Sequence, residues 1–255
     1  MSSRTQDLQY YRMDYPKRGT AVIINNETFL RCDLSDRDGS EVDAERMERL
    51  FKSMGFEKIL RRDNLTADEI RRELDEGKTW QDHSESSCFV CVLLSHGDHE
   101  YVYGTDEGIE VSEIFQPFRG NNCRSLVGKP KLFFIQACRG ELDDDGADVV
   151  DAAIMEPRDT VVRRIPSDAD FFIAYSVVQG YASWRHTELG SWFIQAVVKI
   201  FQENWRRLDL LTMMTRVNRM VAYEFESNTG DAKSHRKKQM PCVTSMLTKD
   251  VYFLA

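Results

Sequence analysis

Apolar residues in this chain occur in short continuous runs and in one-faced periodic stretches, which together predict strands alternating with helices. The continuous runs predict strands buried on both faces, at residues 20–25, 88–94, 131–137 and 170–176. Weaker patterns predict a strand at residues 56–61 and a final apolar strand at residues 242–253. This alternation is typical of an α/β fold with a largely parallel sheet and helices on both of its faces.

Several stretches have the spacing of one-faced helices. Four apolar residues between 47 and 54 recur at i, i+3, i+4 and i+7, and they predict a helix over residues 41–54. Thr66 and Glu69 form a capping-box pattern at the start of the next helix. Further helices are predicted at residues 112–118, 189–201 and 210–225, and residues 101–109 predict a small hairpin.

The pattern of buried elements is interrupted once, after residue 140. Residues 141–151 are acidic and show neither the apolar spacing of a helix nor that of a strand, and the next dozen residues are no more regular. An unstructured connection of about 25 residues is long for a compact domain, so we interpret it as a functional or cleaved segment.

Composition restricts the class of protein without identifying an activity. The 255 residues are 42% hydrophobic, which is enough for one large α/β domain or two small ones. The net charge of −8 makes nucleic acid and anionic membranes poor candidate partners. The sequence has no apolar run of about 20 residues and no signal peptide at its start. Six irregularly spaced cysteines indicate reduced thiols and a cytoplasmic protein.

Two reactive side chains follow neighbouring buried runs. Cys138 comes at the end of the predicted strand 131–137, and His96 follows the predicted strand 88–94. The carboxyl ends of parallel strands meet at one edge of a sheet, which is where α/β proteins bind ligands. A lone cysteine is more often structural, but a thiol beside an imidazole is the arrangement of a cysteine nucleophile and its base.

Gln136, Cys138 and Gly140 belong to the motif Gln-Ala-Cys-Arg-Gly, and His96 lies 42 positions before the cysteine. This sequence resembles the caspases, and specifically the executioner caspases. The resemblance extends over nearly the whole chain, through Met-Asp-Tyr-Pro at 13–16, Gly-Ser-Glu-Val-Asp at 39–43, Ser-His-Gly at 95–97, Gly-Lys-Pro-Lys at 128–131, Ser-Trp-Arg at 183–185, Gly-Ser-Trp-Phe at 190–193 and Pro-Cys-Val-Thr-Ser-Met-Leu at 241–247. It implies a three-layer sandwich around a mostly parallel six-stranded sheet, and a zymogen of an apoptotic cysteine endopeptidase that cuts after aspartate.

The resemblance also implies a role for each residue of the site. Cys138 attacks the substrate, His96 transfers protons while a backbone carbonyl near Ser35 orients it, and the amides of Gly97 and Cys138 form an oxyanion hole. Arg37, Gln136 and Arg185 are expected to bind the substrate aspartate, although isolated arginines are usually surface charges. The pockets for the second and fourth substrate residues are expected to include Ala182, Ser183, Trp184, His186 and Trp192.

The chain departs from the executioner pattern in these outer pockets. Ala182 stands where an aromatic residue is usual, and residues 226–238 contain no aromatic residue. We therefore expect an open second pocket that accepts Val, Ile, Leu and Thr alike. His186 lies where the family recognises the fourth residue, so aspartate selection there is expected to relax toward aliphatic residues.

The resemblance further implies how the protein matures and assembles. Residues 1–140 are expected to form the large catalytic subunit, 141–163 a cleavable linker and 164–255 the small subunit, with no recruitment prodomain. Asp151 is the first candidate for cleavage, and Asp145 and Asp159 are weaker ones. A homodimer through the strand 242–253, an upstream initiator protease and protein inhibitors are the expected partners besides substrates. No metal or cofactor is implied.

Two other functions fit part of the pattern. One is an inactive caspase-like scaffold, which the intact Cys138, His96, Gln136, Arg37 and Arg185 oppose. The other is a related cysteine hydrolase that cuts after basic residues or asparagine, which the arginine pair opposes.

Cysteines 32, 88, 91, 123 and 242 are interpreted as structural, with the thiols of Cys88 and Cys91 on opposite faces of their strand. His83, His99, His186 and His235 are expected to be solvated.

Overall fold

The computed structural model describes residues 9–29, 34–77, 82–140, 167–228 and 235–254. Within these ranges, six strands form one sheet in the order β11-β8-β7-β3-β1-β2. These are β1 (Lys17–Asn25), β2 (Lys58–Asp63), β3 (Ser86–Leu94), β7 (Lys131–Gln136), β8 (Phe171–Tyr175) and β11 (Cys242–Ser245). All neighbouring strands are parallel except β11, which is antiparallel to β8. The predicted α/β class is therefore confirmed.

The helices cover both faces of the sheet, because the side chains of each central strand alternate between two apolar cores. One core is closed by α1 (Ser40–Ser53), α4 (Trp192–Asn204) and α5 (Leu210–Glu224). The other is closed by α2 (Ala67–Gly77), α3 (Val111–Phe115) and the 3-10 helices at Gln116–Phe118 and Gly120–Leu126. The thiols of Cys88 and Cys91 enter opposite cores, as predicted.

The capping box predicted from the sequence begins α2. The Glu69 carboxylate accepts the backbone N–H of Thr66 at 2.9 Å, and the Thr66 hydroxyl oxygen accepts the N–H of Glu69 at 3.3 Å. Each group satisfies an amide that the first helical turn leaves without a partner.

No helix of the described ranges combines the length and apolar character that crossing a bilayer requires.

Two small antiparallel sheets of the described residues lie outside the six-stranded sheet. Strands β4 (Gly97–Asp98), β5 (Tyr101–Tyr103) and β6 (Gly108–Glu110) form an antiparallel group, which includes the predicted hairpin. Strands β9 (Arg185–His186) and β10 (Gly190–Ser191) form another between β8 and α4.

The final strand is shorter than the sequence predicts. β11 ends at Ser245, which lies opposite Phe172. Met246 still donates its N–H to the carbonyl of Phe171 and accepts the N–H of Asp170, both at 2.8 Å. The chain then turns under the sheet, where the side chains of Val251 and Phe253 are buried in the core with α1, α4 and α5. The strand predicted over residues 242–253 is therefore too long, since β11 covers 242–245 and, of the residues after it, Val251 and Phe253 are buried.

Two further expectations need correction. His83 is only 1% exposed rather than solvated, since the 3-10 helix His83–Glu85 directs its ring toward Phe89, 5.9 Å away. Leu189 is exposed because α4 begins three residues later, at Trp192, and Leu189 lies in the turn before it.

Candidate active site

Cys138 and His96 follow adjacent strands in the middle of the sheet. Gln136 at the end of β7 pairs with Leu94 at the end of β3. The N–H of Ser95 also donates to the carbonyl of Gln136, at 3.1 Å. Each functional residue comes two positions after its strand end, so both are held at the carboxyl edge of the sheet by the register of two buried strands.

The hydrogen bond of His96 determines its protonation pattern. His96 Nε2 lies 2.7 Å from the carbonyl oxygen of Ser35, which is the type of orienting contact that the resemblance implies. A carbonyl only accepts hydrogen bonds, so Nε2 carries the proton and Nδ1 is the basic nitrogen of the neutral ring. Burial lowers the pKa of His96, and the positive charges of Arg37 and Arg185 lower it further. The ring is therefore neutral at neutral pH.

Gly97 allows the two strand ends to touch. A Cβ at this position would lie 2.7 Å from the Cys138 carbonyl oxygen and 2.9 Å from both Ala137 Cβ and the Tyr101 carbonyl oxygen. Real Cβ atoms do not approach backbone so closely, so only glycine fits without movement.

The sulfur of Cys138 is half-buried and has a backbone donor. The N–H of Ser183 donates to Cys138 Sγ at 3.4 Å. Cys88 and Cys91 are fully buried inside β3, and burial raises the pKa of Cys88 to about 12 and also raises the pKa of Cys91. Their positions inside β3 therefore keep them as thiols.

Two arginines converge on the same edge. Arg37 is 1% exposed, and its guanidinium donates to the carbonyl of Asn26 at 2.9 Å and to the hydroxyl of Ser40 at 2.7 Å. Burial lowers the pKa of Arg37 to about 9 and the charge of Arg185 acts in the same direction, so Arg37 is a cation at neutral pH. Arg185 Nε donates to the carbonyl of Asp38 at 2.9 Å. Two cations held this way favour an anionic ligand.

Gln136 adds an amide to this group. Its Nε2 donates to the hydroxyl of Ser183 at 2.8 Å. Its buried Oε1 has no hydrogen-bond partner among the residues that the structure describes.

Asp43 is a charged residue of this region that the sequence did not single out. Its buried carboxylate accepts from the N–H of Ser191 at 2.9 Å and from the Ser191 hydroxyl at 2.5 Å. Burial raises the pKa of Asp43 to about 6, while the charges of Arg37 and Arg185 act against that shift. An ionised Asp43 therefore partly offsets the positive charge of the arginine pair.

Three aromatic rings form a continuous stack next to the arginines. The rings of Trp184 and Trp192 are 5.8 Å apart and 20° from parallel, and those of Trp192 and Phe225 are 5.5 Å apart and 25° from parallel. Trp192 belongs to the core and to this stack at once. Phe225 was missed as a site residue, because in the sequence it only ends the apolar stripe of α5.

His186 is exposed and engaged by its own turn. Its Nδ1 accepts the backbone N–H groups of Glu188 and Leu189, at 3.1 and 3.3 Å, in the connection between β9 and β10. Ala182 is half-buried, two residues before Trp184. The expected cleavage positions Asp145, Asp151 and Asp159 lie outside the described residues, as does Cys32.

Comparison with known proteins agrees with this geometry. A family model described as the caspase domain matches residues 18–252. The protein named Caspase-3 from Oryctolagus cuniculus is 46% identical over 95% of this chain and 86% of its own length, and that of Mesocricetus auratus is 45% identical over the same shares. The crystal structure of Caspase-1 from Spodoptera frugiperda has a TM-score of 0.89 and 38% identity, covering 97% of this chain and 94% of that one. This chain thus belongs to the caspase family and is an aspartate-specific cysteine endopeptidase of the executioner type, with a role in apoptosis.

Proposed function

We propose that Cys138 is the nucleophile of this endopeptidase and that His96 is its acid–base residue. The observation that carries the proposal is the pairing of the two strand ends, with His96 Nε2 held 2.7 Å from the Ser35 carbonyl. That contact leaves Nδ1 to exchange protons with the thiol and the leaving amine. The lowered pKa of His96 keeps the ring ready to accept a proton.

Catalysis on this geometry proceeds in two stages. Cys138 Sγ gives its proton to His96 and attacks the carbonyl carbon, and the developing oxyanion accepts hydrogen bonds from the amides of Gly97 and Cys138. The imidazolium then protonates the leaving amine, the C–N bond breaks and a thioester remains. Water attacks the thioester with His96 taking its proton, and the acid product leaves as the thiol is restored.

Aspartate specificity follows from the group formed by Arg37, Arg185 and Gln136. A substrate carboxylate would pair with two guanidiniums, of which Arg37 is buried and Arg185 half-buried, and its remaining lone pairs would accept from the Gln136 amide. A lysine or arginine side chain in the same pocket would leave three cations together. A caspase-like enzyme of basic specificity is therefore disfavoured.

The nucleophile can be tested by substitution. Cys138→Ala should fold with unchanged cooperativity and lose both aspartyl-peptide cleavage and labelling by an aspartyl ketone, because a methyl group replaces the thiol at similar volume. Cys123→Ala, which removes a buried thiol distant from β7's end, is the matched control and should retain full labelling per folded molecule. Residual turnover by Cys138→Ala would contradict the assignment.

Maturation by cleavage within residues 141–163 is the second part of the proposal. The acidic segment offers Asp151 with Asp148 in the fourth position before the cut, and Asp145 and Asp159 as alternatives. An upstream initiator protease would make this cut, and protein inhibitors would act on the mature enzyme. Terminal sequencing of the active protein should find a new end in this segment, and Asp151→Ala should move or abolish it.

Assembly and location complete the proposal. β11 is an edge strand, and equivalent strands of two copies would extend the sheet into a homodimer. A cytoplasmic location is supported by the cysteines of the described residues, Cys88, Cys91, Cys123, Cys138 and Cys242, which are thiols and not halves of disulfides, as in a reducing compartment.

A further inference from the structure

A buried glutamine connects the sheet to the loop that carries Trp184 and Arg185. Gln239 is 1% exposed and lies just before β11. Its Oε1 accepts the backbone N–H of Trp184 at 2.7 Å, and its Nε2 donates to the backbone carbonyl of Ser176 at 2.7 Å. Both polar groups of the side chain are therefore used, and each contacts a different segment of the chain.

The Ser176 end of this connection leads to the nucleophile. The N–H of Ser176 donates to the carbonyl of Ile135 at 2.9 Å, and its hydroxyl donates to the carbonyl of Ala137 at 3.0 Å. Ala137 is bonded to Cys138. A series of hydrogen bonds thus runs from the residue next to Cys138, through Ser176 and Gln239, to the backbone of Trp184.

The Trp184 end leads to the aspartate pocket. Arg185 is the next residue, and in the described structure its main polar contact outside this loop is the bond from Nε to the carbonyl of Asp38. The loop also contacts the end of the sheet through hydrogen bonds: the N–H of Arg139 donates to the carbonyl of Tyr181, and the N–H of Ser183 donates to Cys138 Sγ. Among the described residues, the backbone of Trp184 itself has two contacts: its N–H donates to Gln239 Oε1, and its carbonyl accepts the N–H of Trp192 at 3.3 Å.

We propose that Gln239 is a positioning residue for substrate binding, which sets the distance between Cys138 and the pocket formed by Arg185. The inference rests on the proposed roles of Cys138 and Arg185. Gln239 touches neither the substrate nor the reacting atoms. It holds the Trp184 amide so that the following guanidinium and the preceding Ser183 face the cleft, and it does so with a neutral group that adds no charge to the arginine pair.

Gln239→Met tests the proposal, because methionine keeps the length of the side chain and removes its donor and its acceptor. The N–H of Trp184 and the carbonyl of Ser176 then lose their side-chain partner. We expect the loop to shift and KM for an aspartyl peptide to rise about tenfold or more, with kcat per titrated active site changing less than about threefold. Gln9→Met, an exposed glutamine on the N-terminal segment, is the control and should alter neither constant.

Gln239→Glu gives a second, pH-dependent measurement. A protonated carboxyl offers one donor and one acceptor, which are the two contacts that the amide makes here, whereas a carboxylate cannot donate to the Ser176 carbonyl and is repelled by it. The ratio of kcat/KM for this variant to that of the parent should therefore rise as pH falls from about 8 to about 6. Taking the ratio at each pH removes the titration of His96 and Asp43, which is common to both proteins.

The outcomes separate this inference from the proposed function. A parent protein that fails to cleave aspartyl peptides refutes the proposed function itself. If the parent is active, the positioning role is overturned by a Gln239→Met variant whose KM is unchanged. It is also overturned if the variant differs from the parent only in having a smaller fraction of titratable active sites. If Gln239→Met does not fold, a flat ratio for Gln239→Glu across the pH range overturns the role, and a rising ratio supports it.

Discussion

At the scale of single residues, the space beside Gly97 determines how closely the two strand ends approach. The atoms that a Cβ would meet are two carbonyl oxygens and the Cβ of Ala137, none of which can rotate away. Any side chain at residue 97 must therefore displace backbone that belongs to the proposed oxyanion hole. Glycine is required here by contact and not by its dihedral angles.

Gly97→Ala should lower kcat about 10²- to 10³-fold, because the displaced amide no longer meets the oxyanion. The free energy of unfolding, measured in urea, should change much less than kcat. Gly108→Ala is a matched control in the same small sheet, since its Cβ would contact only the side chain of Tyr101, at 3.3 Å. Equal activity losses in the two variants would show that the effect is not specific to the hole.

Asp43 gives a prediction about pH and stability. Its folded pKa of about 6 lies above that of an unfolded aspartate, so the folded state binds this proton more tightly. The associated stability is present at low pH and is lost as pH rises through about 6. Asp43→Asn should therefore gain stability relative to the parent between about pH 4 and 7, by on the order of 2 kcal/mol.

Urea unfolding of both proteins across this range measures the difference. The same difference at both ends of the range would mean that Asp43 titrates as an exposed carboxylate does. Because ionised Asp43 offsets the charge of Arg37 and Arg185, the variant should also bind an aspartyl inhibitor more tightly at neutral pH.

Sequence patterns were most informative where a reactive side chain directly follows a predicted strand. Cys138 and His96 could be placed on one sheet edge because two continuous apolar runs stop just before them. The burial of Arg37 could not be predicted from the residues around it, since its guanidinium donates to the carbonyl of Asn26, 11 residues earlier and just after the end of β1. Gln239 was missed for the same reason: both of its contacts are with distant segments.

At the scale of elements, the stacked rings of Trp184, Trp192 and Phe225 join the loop around β9, helix α4 and the end of α5. Trp184 stacks on Trp192, which in turn stacks on Phe225. The position of Trp184 is therefore fixed without the aromatic residue that is usual at position 182. The sequence predicts an open second pocket from the aromatic residues that are missing, and the structure stacks Phe225 against Trp192, one of the two rings expected to line that pocket.

Ala182→Tyr should narrow the preference at the second substrate position toward small residues, because a ring there restores a pocket wall. A substrate library randomised at the second and fourth positions measures the change, and Ala182→Leu shows whether bulk without a ring has the same effect. A parent profile already limited to small residues would contradict the open pocket. Phe225→Ala should broaden the profile further by loosening Trp192.

At the scale of the whole molecule, β11 leaves one side of the sheet without a neighbour in the described structure. Its outer residues Thr244 and Ser245 are exposed, and an edge of this kind pairs readily with a second copy. Because the strand ends at Ser245, a dimer contact through the sheet would involve four residues of each copy, with the following turn beside them.

Thr244→Glu should weaken the dimer about tenfold or more, since it places like charges close together across the two-fold axis. Thr215→Glu, on the exposed side of α5, carries the same charge change and should leave association unaltered. Sedimentation of the cleaved protein measures both. A fully active monomer at assay concentration would contradict the dimer.

The position of β8 has a consequence for the protein once its backbone is cut. β8 follows the 141–163 segment in sequence, yet it is hydrogen-bonded to β7, which precedes that segment, along residues 131–135 and 171–175. Tyr11 and Asp170 are likewise joined across it, by a buried 2.6 Å hydrogen bond. Severing the segment therefore changes the molecularity of folding from one chain to two while the sheet stays paired. Unfolding midpoints of the nicked protein should then depend on protein concentration, and dilution would favour separate, unfolded pieces.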